Sequence, residues 1–161
     1  MKRARLRACT LLFVGLFGGT SSVLAQAAVQ TPVSREQFAA LGWLLGAWRG
    51  SGGRFPAFFE EYRLLNDSTI RQRAFADSTF TTVSDSSDIE WREGAVRKTR
   101  RGNAQYVVVR VTADSLQFAR PARPGGGFVW IRESPDRWTA LLAPPPGQPE
   151  PTIYRMQRLR P

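Results

Sequence analysis

Residues 58–76 read Phe58-Phe59-Glu60-Glu61-Tyr62-Arg63-Leu64-Leu65-Asn66-Asp67-Ser68-Thr69-Ile70-Arg71-Gln72-Arg73-Ala74-Phe75-Ala76, and this stretch decides the fold class. Two strand-like runs, 58–65 and 69–76, flank the trio Asn66-Asp67-Ser68. Short polar side chains of that kind bond back to their own backbone and favour a turn. In the second run Ile70, Gln72 and Ala74 alternate with Arg71 and Arg73, a period of two that suits a strand with one buried face.

The same signature repeats towards the C-terminus. Residues 88–92 and 95–100 flank Glu93-Gly94. Residues 104–112 hold Tyr106-Val107-Val108-Val109-Arg110-Val111, the strongest strand in the chain. Ala113-Asp114 leads into 115–119, Ser134-Pro135-Asp136 separates 128–133 from 137–142, and 153–159 follows. With 47–51 this makes nine or ten short strands, mostly joined by tight turns. The expected fold is all-β, an antiparallel up-and-down β-barrel, because closure removes the open edges that so long a flat sheet would expose. The Pro/Gly-rich segments 121–127 and 144–151 read as loops at a barrel mouth. A transmembrane barrel needs strands of roughly 9–11 residues with an apolar outer side. Most runs here are shorter and carry arginines.

Ahead of the strands, Ser34-Arg35-Glu36-Gln37 matches a capping box. Phe38, Leu41, Leu44 and Leu45 follow at helical spacing, so one short helix is expected, with Gly46 as its stop. Residues 26–33 are small and polar and read as a flexible leader. Residues 1–25 carry the three parts of a secretory signal peptide: basic Lys2, Arg3, Arg5 and Arg7, an apolar stretch from Ala8 to Phe17, and Val23-Leu24-Ala25 as the cleavage site. The expected organisation is a signal peptide over 1–25, a leader over 26–33 and one barrel domain over 34–161. The protein is expected in the periplasm or outside the cell.

Cleavage after Ala25 has chemical consequences. Cys9, the sole cysteine, leaves with the signal, and it precedes most of the apolar stretch, where a lipidated cysteine would follow it. The remaining domain can form no disulfide. The formal charge falls from +10 to +6, because four basic residues and no acids are removed. Lys98 is then the one lysine among arginines. A basic balance in an exported protein points to anionic envelope lipid or polysaccharide more than to nucleic acid, and no nucleic-acid partner is expected. A solvated arginine-rich surface is the simpler account.

The run Leu41-Gly42-Trp43-Leu44-Leu45-Gly46-Ala47-Trp48-Arg49-Gly50 resembles the entry to calycin-type barrels, the lipocalin and fatty-acid-binding superfamily. More narrowly it resembles small exported bacterial proteins with a lipocalin-like barrel, in which Leu-x-x-Leu-x-Gly-x-Trp precedes a Glu-x-Tyr or Glu-x-Trp strand. Phe59-Glu60-Glu61-Tyr62 occupies that place here. Two departures stand out. The family's His-Asp-Phe-Pro-like stretch before 128–133 is replaced by Arg123-Pro124-Gly125-Gly126-Gly127. The nitrobindins open similarly but hold haem iron through a histidine, and this chain has none. The resemblance implies that Gly46 allows the helix-to-strand junction and Trp48 plugs the closed end. A C-terminal arginine (Arg155, Arg158 or Arg160, with Arg158 preferred) would stack over the indole.

The resemblance also orients the strands. With Glu60 and Tyr62 inward, Phe58 and Leu64 share their face; Gln72, Ile89, Trp91, Leu116 and Phe118 also read as inward. The strand at 104–112 stays open: either Val107, Val109 and Val111 fill the core, or Tyr106, Val108 and Arg110 line a cavity. An inward carboxylate must be paired or wetted, and Arg110 is the expected partner for Glu60. The candidate ligand-binding residues are therefore Glu60, Tyr62, Gln72, Trp91, Tyr106 and Arg110, a polar spot in an apolar cup. The alternative is that Glu60 caps a loop or meets solvent.

Catalysis has little to draw on. Without histidine or a retained cysteine there is no Ser–His–Asp or Cys–His machinery and no ordinary zinc site. Glu60 and Glu61 are adjacent on a strand and point to opposite faces, and Glu90 and Glu93 are placed only by nearness to a turn. No catalytic residue, metal or cofactor is expected. The leading expectation is an exported barrel that binds a small apolar or amphipathic molecule. The alternative is an envelope interaction module acting through its basic surface, and an enzyme using Glu60 and Tyr62 ranks below both.

Overall fold

The structure is a computed structural model and describes residues 32–121, 126–144, 147 and 149–160. The expected signal peptide, the expected leader up to residue 31 and parts of both Pro/Gly segments lie outside the described residues. Helix α1 (Arg35–Ala39) tightens into a 3-10 turn (Ala40–Leu44). Ten strands follow: β1 (Gly46–Gly52), β2 (Phe55–Asn66), β3 (Thr69–Phe75), β4 (Val83–Arg92), β5 (Ala95–Arg100), β6 (Asn103–Val111), β7 (Ser115–Ala119), β8 (Phe128–Ser134), β9 (Arg137–Leu142) and β10 (Thr152–Arg158).

Each strand pairs antiparallel with the next, and β1 pairs with β10, so the sheet closes as an up-and-down barrel. No helix among the described residues is long and apolar enough to cross a membrane.

The start of the fold follows its local chemistry. Ser34 Oγ accepts the Gln37 amide while the Gln37 side chain accepts the Ser34 amide, so the capping box satisfies two orphan donors. Phe38, Leu41 and Leu44 are buried against the end of the barrel. Val33 is buried as well, its N–H on the Gly94 carbonyl and its own carbonyl accepting the Trp91 indole. The expected flexible leader therefore ends in a docked residue. Gly46 does not stop the helix, which has already given way at Leu45. It opens β1 at φ +119°, and a Cβ there would sit 2.5 Å from Arg158 Nη1. The glycine leaves room for that arginine.

Three departures from the expected pattern have separable causes. β4 begins at Val83 rather than near residue 88, because Val83-Ser84-Asp85-Ser86-Ser87 pairs along β3 despite its weak strand composition. Leu64 shares its parity with Tyr62 but is 54 % exposed. β1 starts opposite Tyr62, so Leu64 has run past the closed wall, just before a register shift in the hairpin. The phase of β6 changes at a bulge between Val108 and Arg110. Tyr106 and Val108 face inward on one side of it and Val111 packs on the core on the other, leaving Arg110 exposed.

The barrel interior is asymmetric. Its lower half is packed solid with aromatic rings: Trp48 meets Trp138 edge-on at 5.9 Å, and Tyr62 meets Trp130 and Trp138 at 5.9 and 6.1 Å. Such edge-to-face pairs add about 0.5–1.5 kcal/mol each beyond their buried area. Above them the interior opens towards the end where the Pro/Gly segments lie.

Candidate functional site

The closed end is sealed by one constellation. The Arg158 guanidinium lies over the Trp48 ring at 4.3 Å from its centroid. Its Nη1 donates to the Leu45 carbonyl, its Nη2 to Trp43 O at 2.9 Å and its Nε to Pro135 O at 3.1 Å. Trp48 Nε1 donates to Leu44 O at 2.7 Å. One planar cation thus satisfies carbonyls from the helix junction and from the β8–β9 turn, while the register sets Trp48 opposite Arg158. The Trp48 indole and the Arg158 fork are both satisfied within the chain, while the buried Trp43 and Trp138 indole N–H groups find no acceptor among the described residues, so this end reads as a packed seal.

The open half contains an apolar cavity of about 400 Å³, walled by Phe58, Phe128, Leu142, Tyr154 and Met156 over a floor of Trp130 and Trp138. Gly50 makes room for one of these walls, since a Cβ there would fall about 2 Å from the Phe58 ring. Beside it a polar arm of about 320 Å³ runs to the mouth past Asp85, Ser86, Ser87 and Arg100. Glu60, Gln72, Lys98 and Tyr106 line both arms and form the junction between them.

At that junction Tyr62 Oη donates to Glu60 Oε2 at 2.7 Å. Lys98 Nζ donates to Gln72 Oε1 and to Ser87 Oγ, and Ser87 Oγ also meets Gln72 Oε1 at 3.0 Å. The ammonium has three donors, and the third has no acceptor among the described residues. Nζ also lies 5.7 Å from the Trp130 ring centroid. Burial pushes the Glu60 carboxyl above its ordinary value, against the opposing pull of the Tyr62 hydrogen bond and the Lys98 charge. Burial also drives the Lys98 ammonium down to about 8, opposed by the charges of Glu60, Asp85 and Asp88. The Tyr62 hydroxyl is raised well above its usual range, by burial and then by the neighbouring carboxylate.

The structure brings together four of the six candidate ligand-binding residues: Glu60, Tyr62, Gln72 and Tyr106. It separates the other two. Arg110 is turned outward by the β6 bulge and cannot reach Glu60. Trp91 belongs to the closed end, where its Nε1 holds Val33 O at 2.7 Å and Arg35 stacks on its ring at 4.8 Å. The interior cation is Lys98, which the sequence reading counts in the net charge and assigns to no face. A signal for it was available, because Lys98 shares its face with Val96 one pleat away. The run Arg97-Lys98-Thr99-Arg100 hides that signal among outward charges. Arg120, 5.6 Å from the Tyr106 ring at the mouth, was also missed.

No protein-family model and no curated protein matches the chain. Among solved structures, a redesigned β-barrel is similar over 75 % of this chain and 96 % of its own, at 12 % identity and a TM-score of 0.38. Rv2717c from M. tuberculosis is similar over 80 % of this chain and 99 % of its own, at 15 % identity and a TM-score of 0.43.

Proposed function

We propose that this protein is a carrier or receptor of the calycin kind, exported by its N-terminal signal, which binds a small amphipathic molecule in the upper barrel. The observation that carries the reading is the shape of the cavity: an aromatic arm and a polar arm that share Glu60, Gln72, Lys98 and Tyr106 at one junction. A volume of about 400 Å³ falls within the range of roughly 300–1,000 Å³ typical of small-molecule sites. Apolar walls with few placed polar groups bind through burial and orient through hydrogen bonds. The calycin assignment is supported by the Gly46-x-Trp48 entry together with Arg158 over the indole.

Titration with an environment-sensitive amphipathic dye tests the reading, with quenching of Trp130 and Trp138 emission as the second signal. Saturable binding that is lost when Ala140, in the cavity wall, is replaced by Trp supports it. A dye that neither binds nor quenches overturns it. The alternative of a basic-surface envelope module has less beneath it, because several outward arginines already face carboxylates: Arg63 with Glu61, Arg71 with Asp88 and Arg160 with Asp136.

A further inference from the structure

We infer that Lys98 captures its ligand covalently, and that the ligand is a hydrophobic aldehyde held as an imine on Nζ. This rests on the cavity reading above and specifies the chemistry of the same site. The first support is the choice of side chain. Of 23 basic residues only Lys2 and Lys98 are lysines, and Lys98, the one within the barrel, is the one that points into the cavity. Everywhere the chain needs an outward or capping cation it uses arginine, which also serves better for gripping a planar anion. A guanidinium does not condense with carbonyls, whereas an amine does.

The second support is position. Nζ sits where the aromatic arm meets the polar one, near the Trp130 face, with Gln72 and Ser87 holding it from one side. An aldehyde whose apolar body fills the space between Phe58, Phe128 and Tyr154 presents its carbonyl end to this junction. A desolvated lysine keeps part of its population as free amine near neutral pH, which is the usual way a lysine becomes a nucleophile.

The step balances without an oxidant or reductant. The Nζ lone pair forms a bond to the carbonyl carbon, and the C=O π pair moves to oxygen, which takes the proton that the now cationic nitrogen gives up, leaving a neutral carbinolamine. That hydroxyl leaves as water, with its proton supplied by Glu60 as the acid at the junction. The resulting C=N⁺ gains one positive charge as the nitrogen lone pair expels the water, and the Glu60 carboxylate left by that proton transfer balances it. Hydrolysis reverses each step and releases the aldehyde.

The full chain is incubated with cinnamaldehyde, reduced with cyanoborohydride and mapped by peptide mass. The expected result is an adduct on Lys98 of the aldehyde's mass less one oxygen, formed at least about ten times faster than on the lysine of an added unstructured peptide. Lys98→Arg, folded by circular dichroism, should bind cinnamyl alcohol but form no barrel adduct. Cinnamyl alcohol has nearly the same shape without the electrophile, and in the native protein it should slow labelling of Lys98. Labelling of Lys98 no faster than the peptide lysine, in a protein that binds the alcohol, overturns the inference and leaves the cavity reading standing. Failure to bind either compound overturns both.

Discussion

The two ends of this barrel use the same pair of chemical groups, a cation beside an indole, to opposite effect. At the closed end Arg158 lies 4.3 Å from the Trp48 ring, donates to three backbone carbonyls from all three of its nitrogens and has Asp136 3.5 Å from Nε. At the open end Lys98 lies 5.7 Å from the Trp130 ring and keeps a donor unspent beside two connected cavities. The difference separates a group that stabilises from a group held ready. Arginine fills its site with a rigid fork, whereas a buried ammonium with spare capacity costs stability and is retained for what it contacts.

Four substitutions would break or sharpen that contrast. The largest effect is expected for Trp48→Ala, which removes a fully buried plug and should cost about 3–5 kcal/mol in denaturant unfolding. A loss under about 1 kcal/mol would show that the closed end is not the barrel's anchor. Arg158→Lys should cost about 1–3 kcal/mol, because a single ammonium cannot reach the three carbonyls that the fork reaches. An unchanged midpoint would reduce the fork to a surface contact.

Lys98→Met should act with the opposite sign. The folded protein holds this amine near 8, below its unfolded value, so the fold favours the neutral form. The wild type therefore carries a deficit at pH 7 that fades as pH rises from about 8 through the ordinary lysine range. Thermal unfolding should find the variant more stable by about 2 kcal/mol at pH 7, with the gap closing by pH 11. Glu60, Asp85 and Asp88 moderate the deficit in the native protein. A variant less stable than wild type at pH 7 would make Lys98 structural. The smallest effect belongs to Tyr62→Phe, which removes a hydrogen bond worth about 1 kcal/mol. It should raise the Glu60 carboxyl further, read by carbon NMR of the carboxylate, since that bond now holds the value down. A downward shift would contradict the geometry.

How far the sequence could be read also differs between the two ends. The Gly46-x-Trp48 entry, the capping box at Ser34 and the turn trio at Asn66 are local signals, and each specifies its element without knowledge of distant contacts. The strand edges between 69 and 142 were readable for the same reason, except where Val83-Ser84-Asp85-Ser86-Ser87 is drawn into β4 by pairing alone. The cavity was half legible. Alternation brings Glu60, Tyr62 and Gln72 to one side, but it presumes an unbroken pleat. The bulge after Val108 adds a residue to β6 and reverses the side that Arg110 faces, so parity assigned the wrong cation to Glu60. A further irregularity after Lys98 lies in another stretch where charge outweighs alternation as a cue. Bulges arise from how neighbouring strands fit, and no single strand records them.

The pairing of β1 with β10 closes this barrel between the two strands that lie farthest apart in sequence. Arg158 reaches carbonyls 113 and 115 residues away, whereas every other strand pair is made with the next strand along. Hairpins can form early and independently, but none can wrap around until the final strand has arrived. Until then two unpaired edges stay open to other chains. The Arg158 latch therefore governs more than thermodynamic stability: a chain weakened at this seam should dwell longer as an open ribbon, and its failure should appear first as aggregation during refolding.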